Sequence, residues 1–386
     1  MPFAHPLTAI IGLASLVAAA GYALVALFAV LVWHRRLALP HLYPMPAVTV
    51  LKPLCGAEPG LYANLRSFCE QSYPEYQIVF GVRDADDPAL AVVARLVADF
   101  PSLPIDVVVN PQLHGSNFKV SNLINMLARA RHDVLTISDS DAWVGTDYLR
   151  TVTAPLLDHK VGLVTSIYRD VPTESIWSRL GAMYINEWYM PSVLLAWLFG
   201  YQGYVSGQTM CLRRETLQAS GGLQATADYL ADDHRLGELV NALGLRIVLS
   251  AYVVRAEHHE ASWNSLVGHE LRWMRTIRAL KPVSYCFLFF SFSLPLSILG
   301  IVLGASDPAL SILAWGLFLT TLAARLVLHF VPWLRGARPF WADLWLVPVQ
   351  DLLIVWIWLR AFFISRISWR GREFDVGSGG VMRRLT

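Results

Sequence analysis

Three short clusters in this chain carry side chains suited to chemistry. Asp139-Ser140-Asp141 follows the apolar run Val134-Leu-Thr-Ile-Ser. In an extended segment, side chains two apart share one face. Two carboxylates on one face, beside a phosphate-bearing ligand, suit a Mg²⁺ or Mn²⁺ ion held by oxygen. Asp232-Asp233 opens a helical pattern that runs to Leu243. Adjacent carboxylates disfavour joint ionisation, which raises one pKa and makes a general base. Charge placed to complement the helix dipole is the competing reading of that pair. Arg272, Arg275 and Arg278 recur every third position with Trp273 between them. Guanidinium matches phosphate geometry, so Arg272 with Trp273 suits a diphosphate, while anionic lipid accounts for Arg275 and Arg278. His258-His259 reads first as a solvated loop pair, with a metal or acceptor contact as the alternative.

The elements that must position these residues follow from the apolar pattern. Strands are expected at Val48–Lys52, Tyr76–Val82, Ile105–Val109 and Asp133–Ser138. Helices are expected at Leu61–Gln71, Pro88–Asp99 and Asn117–Ala130. This β-α alternation implies an α/β domain with a mostly parallel sheet. Ligands then belong beyond the carboxyl ends of the strands. Asp84 stands at one such end and Asp139-Ser-Asp141 at another.

Composition sets the surroundings. Of 386 residues, 55% are hydrophobic and only 16% charged, against about 25% charged in ordinary soluble domains. Mean hydropathy is +0.44. A disordered chain is excluded, and a purely soluble enzyme is disfavoured. Net charge is +2, with 31 Lys and Arg against 29 Asp and Glu, so there is no basic signal for nucleic acid. Fourteen Trp and 14 Tyr suit a bilayer interface. The four cysteines show no paired spacing, which argues against a disulfide framework or a cysteine metal motif.

Residues 7–33 carry no charge and are followed by His34, Arg35 and Arg36. That order reads as a transmembrane anchor whose C-terminal flank faces the cytoplasm. Residues 37–282 form the cytoplasmic domain. It includes two stretches read as interfacial, 176–201, rich in aromatics and either suited to admitting a lipid or plain core, and 265–280, amphipathic. A C-terminal bundle over 283–365 supplies three spans, Val283–Gly304, Ala309–Val331 and Leu344–Ser365, joined by short connections at 305–308 and 332–343. Strict alternation puts the basic tail 366–386 outside, whereas its arginines favour the inside; a last segment that only partly crosses would reconcile the two. Arg325 and Asp351 fall at similar depth on neighbouring spans. Intramembrane ions are usually paired, with lipid headgroup binding as the other reading.

Taken in order, these motifs resemble the membrane-bound lipid glycosyltransferases of the ceramide glucosyltransferase family, and more closely its bacterial hopanoid-biosynthesis relatives. The matching residues are Asp84 in Val82-Arg-Asp-Ala-Asp-Asp-Pro, Asp139-Ser-Asp141, Asp232-Asp233, and His269-Glu-Leu-Arg272-Trp273 for the family's Q/R-x-x-R-W. Further similar stretches are Leu51-Lys52-Pro-Leu, Lys119-Val-Ser-Asn122-Leu, and Cys211-Leu-Arg-Arg-Glu-Thr-Leu with Gly221-Gly222. His269 departs from the Q/R of the pattern and resembles the hopanoid branch. The resemblance covers residues 45 to 380 and implies a GT-A type nucleotide-sugar-binding domain with transmembrane helices.

The resemblance also implies roles. Asp84 contacts the uracil or ribose of a UDP-sugar. Asp139 and Asp141 hold the diphosphate through a divalent metal, Mg or Mn. Lys52, Lys119, Asn122, Asp232 and His269 join the donor site. Asp233 deprotonates the acceptor hydroxyl, and Arg272 and Trp273 close over diphosphate and acceptor. The implied reaction is inverting transfer of glucose or N-acetylglucosamine to a hopanoid polyol or ceramide in the bacterial inner membrane. A processive polysaccharide synthase of the same fold would need more spans to thread a polymer. A non-catalytic nucleotide-sugar-binding membrane protein would need neither Asp233 nor the Arg272-Trp273 pair.

Overall fold

The computed structural model describes residues 6–34, 44–304, 308–331, 333, 341, 343–369 and 372–384. The expected flanks Arg35 and Arg36, the connection 305–307, Arg335, Arg338 and Arg370 lie outside the described residues. The chain divides into two units: a sheet unit of residues 37–171, 201–259 and 369–386, and a helical unit of residues 1–36, 172–200 and 260–368.

The sheet unit is built on strands β1 (Val48–Pro53), β2 (Tyr76–Val82), β3 (Ile105–Val109), β4 (Val134–Ile137), β5 (Ala142–Trp143), β6 (Val161–Asp170), β7 (Met210–Arg213) and β8 (Arg246–Ala256). Their order is β3-β2-β1-β4-β7-β6-β8-β5. The pairs β1–β2, β1–β4, β2–β3 and β6–β8 are parallel; β4–β7, β6–β7 and β5–β8 are antiparallel. Strands β1, β2 and β4 are buried throughout, which is why they read as continuous apolar runs rather than alternating ones. Helices Leu61–Cys69, Ala89–Asp99 and Phe118–Leu127 provide the expected crossovers. The core between sheet and helices includes Leu51, Val79, Leu123, Leu135, Leu212 and Leu236.

The tail departs from expectation. A second sheet is ordered β11-β10-β9, from β9 (Arg366–Trp369), β10 (Arg372–Val376) and β11 (Met382–Arg384). Beyond residue 368 the tail belongs to the sheet unit. Val381 forms a bridge with Tyr229, and Phe374, Val376 and Met382 are buried. The tail therefore lies on the same side of any membrane as the sheet unit. With the tail packed on the sheet unit, a final segment that only partly crosses fits better than strict alternation through three full spans.

In the helical unit, Leu7–Trp33, Leu310–His329 and Leu344–Ala361 are long and apolar enough to cross a membrane. The expected straight span Val283–Gly304 is instead two helical pieces, Pro282–Ser291 and Ser293–Gly304, bent by 69°. Helix Ser293–Gly304 packs on helix Pro6–His34 through small residues. A Cβ added at Gly12 would stand 2.6 Å from the backbone N of Gly304, and one at Gly300 would stand 2.6 Å from Leu16. This Gly-xxx-Gly approach trades side chains for backbone contact, the usual solution where lipid removes the hydrophobic drive.

Arg325 does pair with Asp351, at 3.0 Å. Its other contacts were not anticipated: Glu187 lies 2.6 Å from Arg325, and His329 lies 2.8 Å from Glu187. Glu187 sits in a π-helical stretch, Tyr184–Tyr189. The stretch 176–201 belongs to the helical unit as far as residue 200, where Trp197 meets Trp33 edge-on at 5.1 Å. Arg275 does not reach outward to lipid; it is buried, and Arg278 donates to the carbonyls of Ala361 and Ile364.

Candidate active site

The carboxyl ends of the parallel strands gather the acids, as expected of an open α/β sheet. Asp84 follows β2, Asp139 and Asp141 follow β4, and Asp170 closes β6 beside His258, just past β8. Asp232 and Asp233 open the helix Asp232–Ala242.

Lys119 lies at the centre of the acids. Its helix starts at the Asn117 cap, whose side chain accepts from the Val120 N–H. The Lys119 ammonium lies 2.7 Å from Asp139 and 3.3 Å from Asp232. Burial pushes Asp232 up to about 6 against the pull of Lys119, and burial likewise raises Asp233 above the usual carboxylate range. Lys119 itself is held above its ordinary value, because the carboxylates outweigh the burial that opposes them.

One residue unforeseen from sequence ties the D-x-D to the acidic pair. The Gly207 N–H donates to Asp233 Oδ2 at 2.9 Å, and the Gly207 carbonyl accepts from the Asp139 N–H at 3.1 Å. A Cβ on Gly207 would stand 2.4 Å from Asp139 Oδ2 and 3.0 Å from Lys119 Nζ. The second oxygen of Asp233 accepts from the His234 N–H at 2.7 Å. Asp233 is thus held half-buried at the helix start by two backbone N–H groups.

Asp139-Ser140-Asp141 is a turn rather than an extended segment, and its two carboxylates find separate partners. Asp141 accepts from Gln208 Nε2 at 3.1 and 3.2 Å. It also faces His258 Nε2 at 3.3 Å. His258 Nδ1 lies 3.1 Å from Asp170, which is buried. His258 is therefore not a solvated loop residue. Burial raises Asp141 above its ordinary value, opposed by His258.

A divalent cation fits here. A histidine that gives one ring N–H to a carboxylate presents the other nitrogen as a metal ligand. A separation of 3.3 Å between His258 Nε2 and Asp141 Oδ2 is close to the cis edge of an octahedron, about 3 Å for bonds of about 2.1 Å. Gln208 Oε1 is buried with no hydrogen-bond partner among the described residues. Among those residues no three His, Cys, Asp or Glu side chains are grouped to hold a metal alone, so phosphate oxygens of a donor would have to complete the shell.

Two residues expected in the donor site do other work in this structure. Lys52 is fully buried; its ammonium, over the Phe68 ring at 3.8 Å, donates to Ser138 Oγ and the Asp139 carbonyl. Burial pushes it down to about 7. Asn122 is buried and donates to the Gly81 carbonyl at 2.7 Å. Both brace strand ends, and Asn122 Oδ1 has no hydrogen-bond partner among the described residues. Asp84, by contrast, is exposed and paired with Arg83 at 3.0 Å.

In the helical unit, helix Trp263–Leu280 carries His269, Arg272 and Trp273. His269 Nδ1 lies 2.7 Å from Glu260, and its ring lies 4.1 Å from that of Trp273. Trp273 stacks on Tyr184 at 5.5 Å. Glu270 is buried with neither carboxylate oxygen hydrogen-bonded among the described residues, and burial, with Glu260 adding, holds it well above the usual range.

Comparison with known proteins identifies the family and the fold. The chain is 22% identical over 362 residues to "Ceramide glucosyltransferase 3" of Caenorhabditis elegans, covering 87% of this chain and 74% of the relative. It is 23% identical over 355 residues to "Ceramide glucosyltransferase 1" of the same organism, covering 88% and 73%. The solved mannosyltransferase PcManGT of Pyrobaculum calidifontis, in complex with GDP-Man and Mn²⁺, shares the fold with a TM-score of 0.54 at 19% identity, over 92% of this chain and 98% of that one. The description glycosyl transferase family 21 matches residues 13–382, and with nearly the whole chain inside that match, the protein belongs to this glycosyltransferase family.

Proposed function

We propose that the chain transfers a hexosyl group from a UDP-sugar to a hydroxyl of a membrane lipid, with inversion at the anomeric carbon. The observation that carries this reading is the link through Gly207. It joins Asp233, a half-buried carboxylate with raised pKa, to Asp139 of the D-x-D turn. Inverting transfer needs a base on one side of the sugar and stabilisation of the leaving diphosphate on the other. Asp233 takes the acceptor proton. Lys119, between Asp139 and Asp232, supplies positive charge near the leaving group. Asp84 receives the nucleoside. Asp141, His258 and Gln208 would hold a Mg²⁺ or Mn²⁺ ion, which supplies charge neutralisation for the diphosphate. Arg272, Trp273 and His269 are assigned to the diphosphate and acceptor by family likeness.

The names of the relatives and the three apolar helices support a lipid acceptor. Ceramide and a polyhydroxylated hopanoid are the two candidates, His269-Glu-Leu-Arg-Trp favouring the second. The catalytic side is assigned to the cytoplasm of a bacterial inner membrane. Purified protein in bilayer discs, given UDP-glucose or UDP-N-acetylglucosamine with either lipid, should yield a β-linked glycolipid by mass spectrometry and NMR. UDP release without glycolipid from every combination would overturn the reading.

A further inference from the structure

We infer that the C-terminal segment 372–384 positions the loop that presents Asp232 and Asp233, and so acts in turnover although it follows the last apolar helix. The inference rests on the proposed role of Asp233 as base. Residues 227–231 lie between a 3₁₀ turn, Leu223–Thr226, and the helix that starts at Asp232. They have no strand or helix of their own, so their shape depends on the partners their backbone finds.

Those partners come from two sides. On one side, the Asn117 N–H donates to the Ala227 carbonyl, the Asn117 amide to the Tyr229 carbonyl, and the Ser116 N–H to the Asp228 side chain, each at 2.8 Å. The backbones approach so closely that a Cβ on Gly115 would stand 2.5 Å from the Ala227 carbonyl oxygen. On the other side, the tail supplies the Met382 N–H to the Asp228 carbonyl at 2.8 Å and takes the Leu230 N–H on the Gly380 carbonyl at 2.9 Å. Gly379 and Gly380, with φ of 70° and 80°, make the turn that aims that carbonyl, a conformation costly for residues with a Cβ.

The tail also touches the other partner in the acid cluster. Phe374 is fully buried and meets Phe118 at 6.1 Å between ring centres. Phe118 is the first residue of the helix that carries Lys119. Both ends of the Lys119–Asp232 ion pair therefore rest on segment 372–384. A small displacement of a catalytic group is enough to cost turnover without removing any reacting atom.

The test compares Met382→Pro, which deletes the N–H given to Asp228, with Met382→Ala, which trims the side chain and keeps that N–H. Both are made in the full chain in bilayer discs. Met382→Pro is expected to lower kcat about 10- to 100-fold relative to Met382→Ala, with KM for UDP-sugar within threefold. Equal turnover in the two variants overturns the inference. Should Met382→Pro fail to fold, hydrogen exchange on the wild-type protein decides. The Leu230 and Met382 amides should be protected together and to the same degree, and free exchange at Leu230 overturns the inference. A wild-type protein with no transferase activity would sink the function reading, while the exchange measurement still tests the clamp.

Discussion

His258 faces Asp141 across 3.3 Å while its other ring nitrogen lies 3.1 Å from the buried Asp170. With Nδ1 held by Asp170, Nε2 and the Asp141 oxygen are placed to share a cation. His258→Ala should therefore raise the Mn²⁺ concentration needed for half-maximal activity by about 10- to 100-fold, with partial recovery at high Mn²⁺. Titration of activity against Mn²⁺ reads this directly, and an unshifted midpoint would remove His258 from the metal site.

Asp233→Asn should cut kcat by about 10²- to 10⁴-fold, the usual contribution of a general base, while UDP-sugar binding by calorimetry changes little. Near-normal turnover would take Asp233 out of the base role. The wild-type pH profile carries the same information. A base works deprotonated, so activity is lost as pH falls through its folded pKa. Burial raises both Asp232 and Asp233; the acid limb of kcat/KM should then lie above the ordinary carboxylate value of about 4. It belongs to the pair rather than to one residue.

Gly207→Ala places a methyl 2.4 Å from Asp139 and 3.0 Å from Lys119. The Asp139 carboxylate and the Lys119 ammonium must then turn away from the methyl, which breaks their ion pair. Transfer should fall by about 100-fold or more, with Tm within a few degrees of wild type. Retained activity would show that the loop accommodates a side chain.

Glu270 is buried and its carboxyl is held well above its ordinary 4.5 by burial and by Glu260. The folded protein keeps a proton that the unfolded chain releases. The stability this confers is complete below about 4.5 and is lost as pH rises towards the raised folded value, by at most about 1.4 kcal/mol per pH unit. Glu270→Gln should flatten that dependence, gaining Tm relative to wild type at pH 8 and not at pH 4. Parallel melting curves at all pH values would contradict it.

The bridge between Tyr229 and Val381 holds the tail on the sheet unit, so the two should lie on the same side of a membrane. In a cysteine-free background, single cysteines at Glu215 and Arg384, both exposed, should react with an impermeant maleimide from the same side of sealed vesicles. Labelling from opposite sides would mean an odd number of crossings between residues 260 and 368.

The sequence by itself determined the β-α half of the sheet and the acids at its strand ends. A strand covered on both faces is predominantly apolar, and its end is marked where the first acid appears, as at Val82-Arg83-Asp84 and Ile137-Ser138-Asp139. It also marked the helices long enough to cross a membrane, because length and apolarity are local properties. Tertiary structure alone decided the rest. Only the fold shows that Lys52 and Asn122 each donate to a neighbouring backbone carbonyl. Gly207 is one glycine among 25 until Asp139 and Asp233 close around it; the run Ser206-Gly-Gln-Thr just before β7 was the only local hint. His258 gains its partners from β6 and from the turn after β4, and the tail gains its place from residues 227–230. Such pairings depend on which backbone edges and side chains meet across long loops, and hydrophobic periodicity carries no record of that.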